Sequence, residues 1–402
     1  MSTEPRYFLR CLQCDSTYAK GQVGYCCPIC ELDGALDVLY DYERIGRSFR
    51  QDVARREAFD MWRYRSILPI SDDFRPALHT GGSPLYEMKH DGQGCILVKD
   101  DSRNPSGSLK DRASALAVAL AAGMGADTIA TASTGNAAAA LACMSAISGM
   151  QCKIFAPANA PREKLAQMRT YGASVIAVEG GYDEAFEACY AACKEYGWYN
   201  RSTGINSFMS EGKKTVAFEI CEQMQWRVPD RVYVPVGNGC IVGAVYKGFK
   251  ELHQMGCTDR IPRIMGVQAS GSDFMFRAWR AGAGPNGATA QPANTAAGSI
   301  SVALPRDRIK ALRAIEKSGG EFITVSDTEI FQAVTELARN CGVFAEAGAA
   351  AAYAGAKKCG AHGRSETSVV LVTGSGLKDI AGLLKSGVLA DGAELLRQRL
   401  AA

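Results

Sequence analysis

Several features that would settle a function class are missing from this chain. No apolar run reaches bilayer-spanning length, and the first residues lack the basic, apolar, small order of an export signal. Charge of one sign is missing too, since 45 lysines and arginines face 42 acidic residues for a net charge of +3. So small an imbalance leaves no electrostatic footprint for nucleic acid or a membrane surface. No repeat of fixed period runs along the chain, which argues against a solenoid. A secreted disulfide framework is also absent: the 15 cysteines are odd in number and scattered over 402 residues. The expectation is a cytoplasmic protein of ordinary globular composition, 47% hydrophobic and 22% charged. Its length allows two or three domains, each with its own core.

What is present begins with paired cysteines. Cys11-x-x-Cys14 and Cys27-x-x-Cys30 are separated by residues 15–26, a zinc-ribbon spacing. Four thiolates so placed can close around a tetrahedral ion and staple a segment too small for a core. The alternative is four free thiols in a flexible arm. Cys26, next to the second pair, is a possible substitute ligand. Residues 41–78 read as a helix-containing connector, with Met61-Trp62-Arg63-Tyr64 ahead of a Leu68-Pro69 break.

The central stretch is Asn104-Pro105-Ser106-Gly107-Ser108-Leu109-Lys110-Asp111-Arg112. It follows a strand-like run, Cys95–Val98, and opens an alanine-rich helix from Ala113 to Ala122. Ser106 or Ser108 is a candidate cap. A lysine in a helix's first turn sits among unpaired N–H groups at the positive end of the dipole, which favours its neutral amine. Taken alone, Lys-Asp-Arg could equally be a solvated helix start.

Further on, strand and helix patterns alternate. Thr128–Ala132 runs into Ser133-Thr134-Gly135-Asn136, then a helix from Ala137 to Ala146. Strands at Cys152–Ala156 and Val175–Val178 alternate with helices at Lys164–Tyr171 and Asp183–Glu195. Arg231–Val236 leads into Gly237-Asn238-Gly239-Cys240-Ile241 and a helix from about Val242, with another strand at Ile264–Ala269. Such alternation predicts parallel sheets with helices on both faces. A small polar or glycine turn between strand and helix makes an anion site, although either turn alone is also an ordinary capped helix. Ala281–Ala296 is expected to be a loop near the site's mouth.

The nonapeptide resembles the N-P-T-G-S-F-K-D-R segment of the threonine synthase family. Other segments follow in family order: Thr80-Gly81-Gly82-Ser83-Pro84-Leu85, the Ser133–Asn136 turn, Asn206–Thr215, Gly237–Ile241, Phe344–Ala350 and Ser368–Asp379. The resemblance implies a fold type II pyridoxal 5'-phosphate enzyme, tryptophan synthase β-like, of α/β class. It would have two doubly wound parallel-sheet domains and an N-terminal zinc-ribbon-like segment. The expected division is residues 1–40 for that segment, 41–78 for the connector, 79–120 with 216–395 for the large cofactor domain, and 121–215 for a smaller mobile domain.

By the same resemblance Lys110 carries the cofactor as a Schiff base and later acts as general base. Asn136 meets the cofactor's 3'-hydroxyl, and Gly237, Asn238, Gly239, Cys240 and Ile241 hold its phosphate. Thr373 meets the pyridine nitrogen, where a neutral hydroxyl suits elimination over transamination. Ser133, Thr134, Gly135 and Asn136 receive the substrate carboxylate, and Ala137 and Met209 border the substrate. Cys11, Cys14, Cys27 and Cys30 form the zinc set.

Several positions depart from the family pattern, among them Ser207 for a proline and Cys240 in the glycine turn, and four bear on the substrate. Met209 replaces an arginine that grips the substrate phosphate, Ala137 a threonine, Ile241 an asparagine and Ser375 a histidine. Methionine offers a phosphate none of arginine's paired donors. Three functions remain open: threonine synthase-like chemistry on an O-phospho amino acid; β-replacement or β-elimination on O-phosphoserine or serine, as in cysteate synthase or a serine/threonine dehydratase; and a non-catalytic regulatory relative. A homodimer with a small amino-acid substrate is expected.

Overall fold

The computed structural model describes residues 7–31, 34–70, 74–88, 94–160, 162–361 and 365–389. The expected end of the large domain at 395 lies outside them. An antiparallel sheet comes first, β1 (Tyr7–Cys11), β2 (Thr17–Ala19) and β3 (Leu36–Tyr40), in the order β2-β1-β3. Helices α1 (Tyr42–Gly46) and α2 (Phe49–Ala54) follow, then a 3-10 stretch, Met61–Ile67, so the connector is helical in part.

Chain order then gives β4 (Leu85–Glu87), β5 (Cys95–Asp100), α3 (Lys110–Gly123), β6 (Thr128–Ala132), α4 (Asn136–Ile147), β7 (Gln151–Pro157) and α5 (Arg162–Thr170). Next come β8 (Ser174–Val178), α6 (Tyr182–Tyr196), β9 (Tyr199–Asn200), α7 (Phe208–Gln223), β10 (Arg231–Pro235) and α8 (Cys240–Gln254). The described part closes with β11 (Arg263–Ala269), α9 (Phe274–Ala281), α10 (Arg308–Ser318), β12 (Glu321–Val325), α11 (Asp327–Cys341), α12 (Ala347–Lys358), β13 (Thr367–Val372) and α13 (Ile380–Lys385).

Two further sheets organise these elements. The larger runs β12-β11-β10-β13-β5-β4, parallel except for the β4–β5 edge pair. The smaller runs β8-β7-β6-β9 and is parallel throughout. β10 reads Arg-Val-Tyr-Val-Pro and is buried along its whole length, as a strand covered by helices on both faces must be. α3 is alanine-rich and almost wholly buried, because small side chains let neighbouring helices close on every side. Among the described residues no helix is long and apolar enough to cross a membrane.

Candidate active site

The turns after β5, β10 and β13 all leave the carboxyl ends of parallel strands in the larger sheet, where open α/β sheets form their clefts. The Leu109 amide donates to the Thr373 carbonyl at 2.9 Å, and the Ser375 amide to the Gly107 carbonyl at 3.0 Å. Lys110 and Thr373 are thereby held on neighbouring turns. Gly107 takes φ +84°, a conformation that suits glycine, and its amide closes the turn on Asn104 at 2.8 Å.

Neither serine caps α3. Leu109 occupies the cap position without a side-chain bond, and the buried hydroxyls of Ser106 and Ser108 have no hydrogen-bond partner among the described residues. Asp111 instead ties back the preceding turn, accepting from the Ser106 amide at 2.8 Å. Burial raises its carboxyl to about 6.

Below the lysine, Arg112 is locked in place. Its Nε donates to Asp101 Oδ2 at 2.7 Å, Nη1 to Glu219 Oε1 at 2.6 Å, and Nη2 to Asp101 Oδ1 at 2.7 Å. Lys99 joins Glu219 from the other side at 2.7 Å. These side chains are buried, so the pairs offset a desolvation cost that would be severe for any one charge alone.

Lys110 is the first residue of α3, with its amine pushed down to about 8. Burial is the main cause, and the neighbouring charge of Lys213 adds to it. Glu346 and Cys240 oppose the shift, while Arg201 reinforces it. The lowering anticipated from the helix start is thus present, with desolvation as its leading source.

On the smaller sheet, Ser133, Thr134, Gly135, Asn136 and Ala137 form a partly exposed lip where β6 meets α4. The Gly135 amide donates to Ser133 Oγ at 3.1 Å. Asn136 Nδ2 donates to both carboxylate oxygens of Glu346, at 2.9 and 3.0 Å, which joins the two sheets across the cleft. Glu346 is largely buried, and its amide donates to the Gly374 carbonyl at 2.9 Å. Its place in the site was missed in the sequence. The nearest signal was its position inside a family-like segment.

After β10, Gly237, Asn238 and Gly239 lead directly into α8, which starts at Cys240, two residues earlier than expected. Gly239 has φ +93°, and a Cβ there would come within 2.7 Å of Met275 Cε and 2.9 Å of the Asp307 carbonyl oxygen. Gly237 lies under Ile300, whose Cα would be 3.0 Å from an added Cβ. The first amides of α8 have no intrahelical acceptor, so the turn is a concave donor cradle. Cys240 is buried and takes a 2.7 Å contact from Lys213 Nζ, and Ile241 is partly exposed beside it.

Lys110, the cradle and Thr373 therefore converge, with Asn136 facing them from the smaller sheet. Met209 is placed differently. It is fully buried in the apolar cluster with Met61, Trp62 and Leu116.

The N-terminal cysteines also come together. The sulfurs of Cys11, Cys14, Cys27 and Cys30 all lie within 4.8 Å of one another. Roughly 3.8 Å is the sulfur separation expected around a tetrahedral ion with 2.3 Å bonds. Cys26 is not in this group.

A lysine at a helix head, set between a glycine cradle and a neutral hydroxyl at strand ends, defines a class of cofactor enzyme. Residues 77–374 match the family described as Pyridoxal-phosphate dependent enzyme. The threonine synthase of Methanocaldococcus jannaschii is 40% identical over 379 residues, covering 92% of this chain and 92% of its own. That of Mycobacterium bovis is 36% identical and covers 80% of this chain and 89% of its own. The chain belongs to the threonine synthase family of pyridoxal-phosphate-dependent enzymes. Membership removes the non-catalytic alternative.

Solved structures share the fold. Maize serine racemase superposes with TM-score 0.64 at 20% identity, covering 86% of this chain and 96% of its own. Threonine deaminase isoform 2 from Solanum lycopersicum gives 0.63 at 22% identity, covering 75% and 86%.

The residues present fit the cofactor. The cradle is too tight for a side chain at Gly239, the Ser108 hydroxyl beside the lysine is buried without a partner among the described residues, and the lysine is pushed towards its neutral form.

Proposed function

We propose that the enzyme acts on an activated amino acid, of O-phospho or related type, by elimination or replacement, with Lys110 as both cofactor anchor and proton carrier. The carrying observation is the Lys110 amine at the head of α3, lowered to about 8 by burial and by Lys213, on a turn bonded to that of Thr373. Pyridoxal phosphate, when bound, supplies an electron sink for the negative charge that develops at the substrate's Cα. Gly237, Asn238, Gly239, Cys240 and Ile241 would hold its phosphate through backbone amides, Thr373 its ring nitrogen and Asn136 its ring hydroxyl. Ser133, Thr134, Gly135 and Asn136 would orient the substrate carboxylate at the head of α4. Lys110 Nζ then takes the Cα proton, and its low basicity near neutral pH lets it return that proton. Glu346, bonded to Asn136, sets the angle of the amide that faces the cofactor.

The β-replacement or β-elimination reading has its own support. Met209 is packed in the core, and Ala137 and Ile241 offer no polar side-chain atom. One experiment separates the readings: holoenzyme is given O-phosphohomoserine, O-phosphoserine, serine or threonine, while phosphate, keto acid and new amino acids are assayed. Threonine from O-phosphohomoserine supports γ-chemistry. Turnover of O-phosphoserine or serine alone supports β-chemistry, and no turnover of any of them would sink both.

The proposal includes zinc on Cys11, Cys14, Cys27 and Cys30, supported by their convergence and closed to substrate by full ligation. It also includes motion of residues 121–215 over the cleft and a homodimer, checked by small-angle scattering with and without substrate.

A further inference from the structure

Two buried cations beside the cleft lack the anion that their burial calls for. Arg201 follows β9, and its backbone amide donates to the Ala130 carbonyl at 2.8 Å. The residue is 0% exposed. Its Nε donates to Ser114 Oγ at 3.1 Å and its Nη1 to Thr203 Oγ1 at 3.2 Å, both neutral partners. Nη2 is buried with no partner among the described residues. Lys213, also 0% exposed, donates to Cys240 Sγ. No ion pair to a carboxylate is formed by either cation among the described residues.

The location of Arg201 follows from its bonds. Ser114, which accepts from Nε, lies on α3, the helix that Lys110 begins, and Ala130, which accepts from the backbone amide, lies on β6. The guanidinium therefore sits between the lysine's helix and the smaller sheet, and its charge and that of Lys213 both reach Lys110. Burying an unpaired guanidinium is costly in protein, and evolution rarely leaves one without a ligand or a carboxylate. Asp111, Glu346 and Asp307 are the acidic groups nearby; the Ser106 amide engages the first, Asn136 the second, and Lys310 the third at 3.6 Å.

We infer that Arg201, assisted by Lys213, receives the distal doubly charged group of the substrate, of phosphate-ester class, and so takes over a grip that Met209 cannot provide. The unpartnered Nη2 can donate to a tetrahedral oxyanion while Ser114 and Thr203 hold the rest of the guanidinium, and a lysine adds a point charge. The arginine of the grip would come from the β9 side of the cleft, with only Lys213 reaching in from α7, which changes where the leaving group points relative to Lys110. This inference rests on the reading of an activated O-phospho substrate.

The test uses the pyridoxal-phosphate-loaded protein, so that the cofactor's own phosphate site is already filled. Inorganic phosphate is titrated calorimetrically into wild type, Arg201→Met, Arg201→Gln and Arg201→Lys, with cofactor content read by visible absorbance. Wild type should bind phosphate in addition to the cofactor. Arg201→Met should weaken that binding at least ~10-fold with cofactor absorbance unchanged, and Arg201→Lys should recover part of it. Arg201→Gln, which can still bond Ser114 and Thr203, carries the test should the methionine variant not fold. The inference is overturned if wild type takes up no further phosphate, if the variants bind it as tightly, or if they lose cofactor in parallel with phosphate. Arg201-dependent binding without amino-acid turnover would sink the functional reading alone. Turnover of serine without phosphate binding would sink the anion site alone.

Discussion

In the role proposed for it, Lys110 combines two demands that usually conflict, since it would have to be neutral to react and yet stand among charged groups. Burial and the charge of Lys213 settle the conflict by lowering the amine to about 8. Sign matters here: a lowered amine loses its proton as pH rises through about 8, so covalent cofactor attachment should increase over that range. Stopped-flow absorbance of apoprotein mixed with pyridoxal phosphate would show it. A rate that is flat from pH 6 to pH 9 would contradict the assignment. Lys110→Ala should abolish the covalent absorbance band and reduce turnover by roughly 10²–10⁴-fold, the usual contribution of a positioned proton carrier.

Legibility in the sequence divides along a physical line. The lysine turn, the Ser133–Asn136 turn and the glycine cradle are contiguous, so their chemistry is written in local order. Glu346 and Asn136 meet across 210 positions, and no local pattern announces that bond. Arg201 and Lys213 were passed over for a related reason. A buried unpaired cation looks in sequence like any surface lysine or arginine, and only packing reveals that it has been taken out of water.

At the scale of elements, strand and helix alternation was legible because buried parallel strands are apolar runs and helices repeat every turn. Boundaries moved by a residue or two, as at α8 and α4, where the phosphate-type turns cut directly into the helix. The serine cap expected for α3 is replaced by the backbone: the Asp111 and Arg112 amides donate to the Ser108 and Leu109 carbonyls at 3.1 and 3.2 Å. Tightness of the β10–α8 turn gives a sharp prediction. Gly239→Ala would place a Cβ 2.7 Å from Met275 Cε in a left-handed backbone, costing at least about 1 kcal/mol before any clash. The variant should lose cofactor affinity more than fold stability, as judged by equilibrium dialysis beside thermal melting. Equal cofactor affinity would remove the cradle's assigned role.

Across the whole molecule, buried charge holds the layers in register. Glu219 shows the balance: burial pushes its carboxyl up, and Arg112 and then Lys99 overcome this and hold it at about 2. A carboxyl lowered on folding stabilises the native state above its ordinary value near 4.5, and that stabilisation drains away as pH falls towards 2. Urea midpoints should therefore fall between pH 6 and pH 3, and less steeply in Glu219→Gln. Asp111, raised by burial, pulls the other way, so the comparison of the two proteins isolates Glu219. Arg112→Met should cost about 3–5 kcal/mol, because it strands the buried Asp101 carboxylate and leaves Glu219 to Lys99 alone. Denaturation at pH 7 measures it directly.

The N-terminal sheet is often thought of, in proteins with such cysteine pairs, as an attachment that could be trimmed. Its wiring here says otherwise. Lys247 pairs with Asp37 of β3 at 2.9 Å and with Glu251 at 2.9 Å, while Tyr40 donates to Glu211 at 2.6 Å and Lys214 bridges Glu211 and Glu251. Those contacts cover one side of α7, where Lys213 stands between Glu211 and Lys214, and the later turns of α8, whose first turn leaves the cradle. A shortened chain starting after Tyr40 would therefore be less a minimal enzyme than an opened one, with water admitted to an ionic seam behind its own active site.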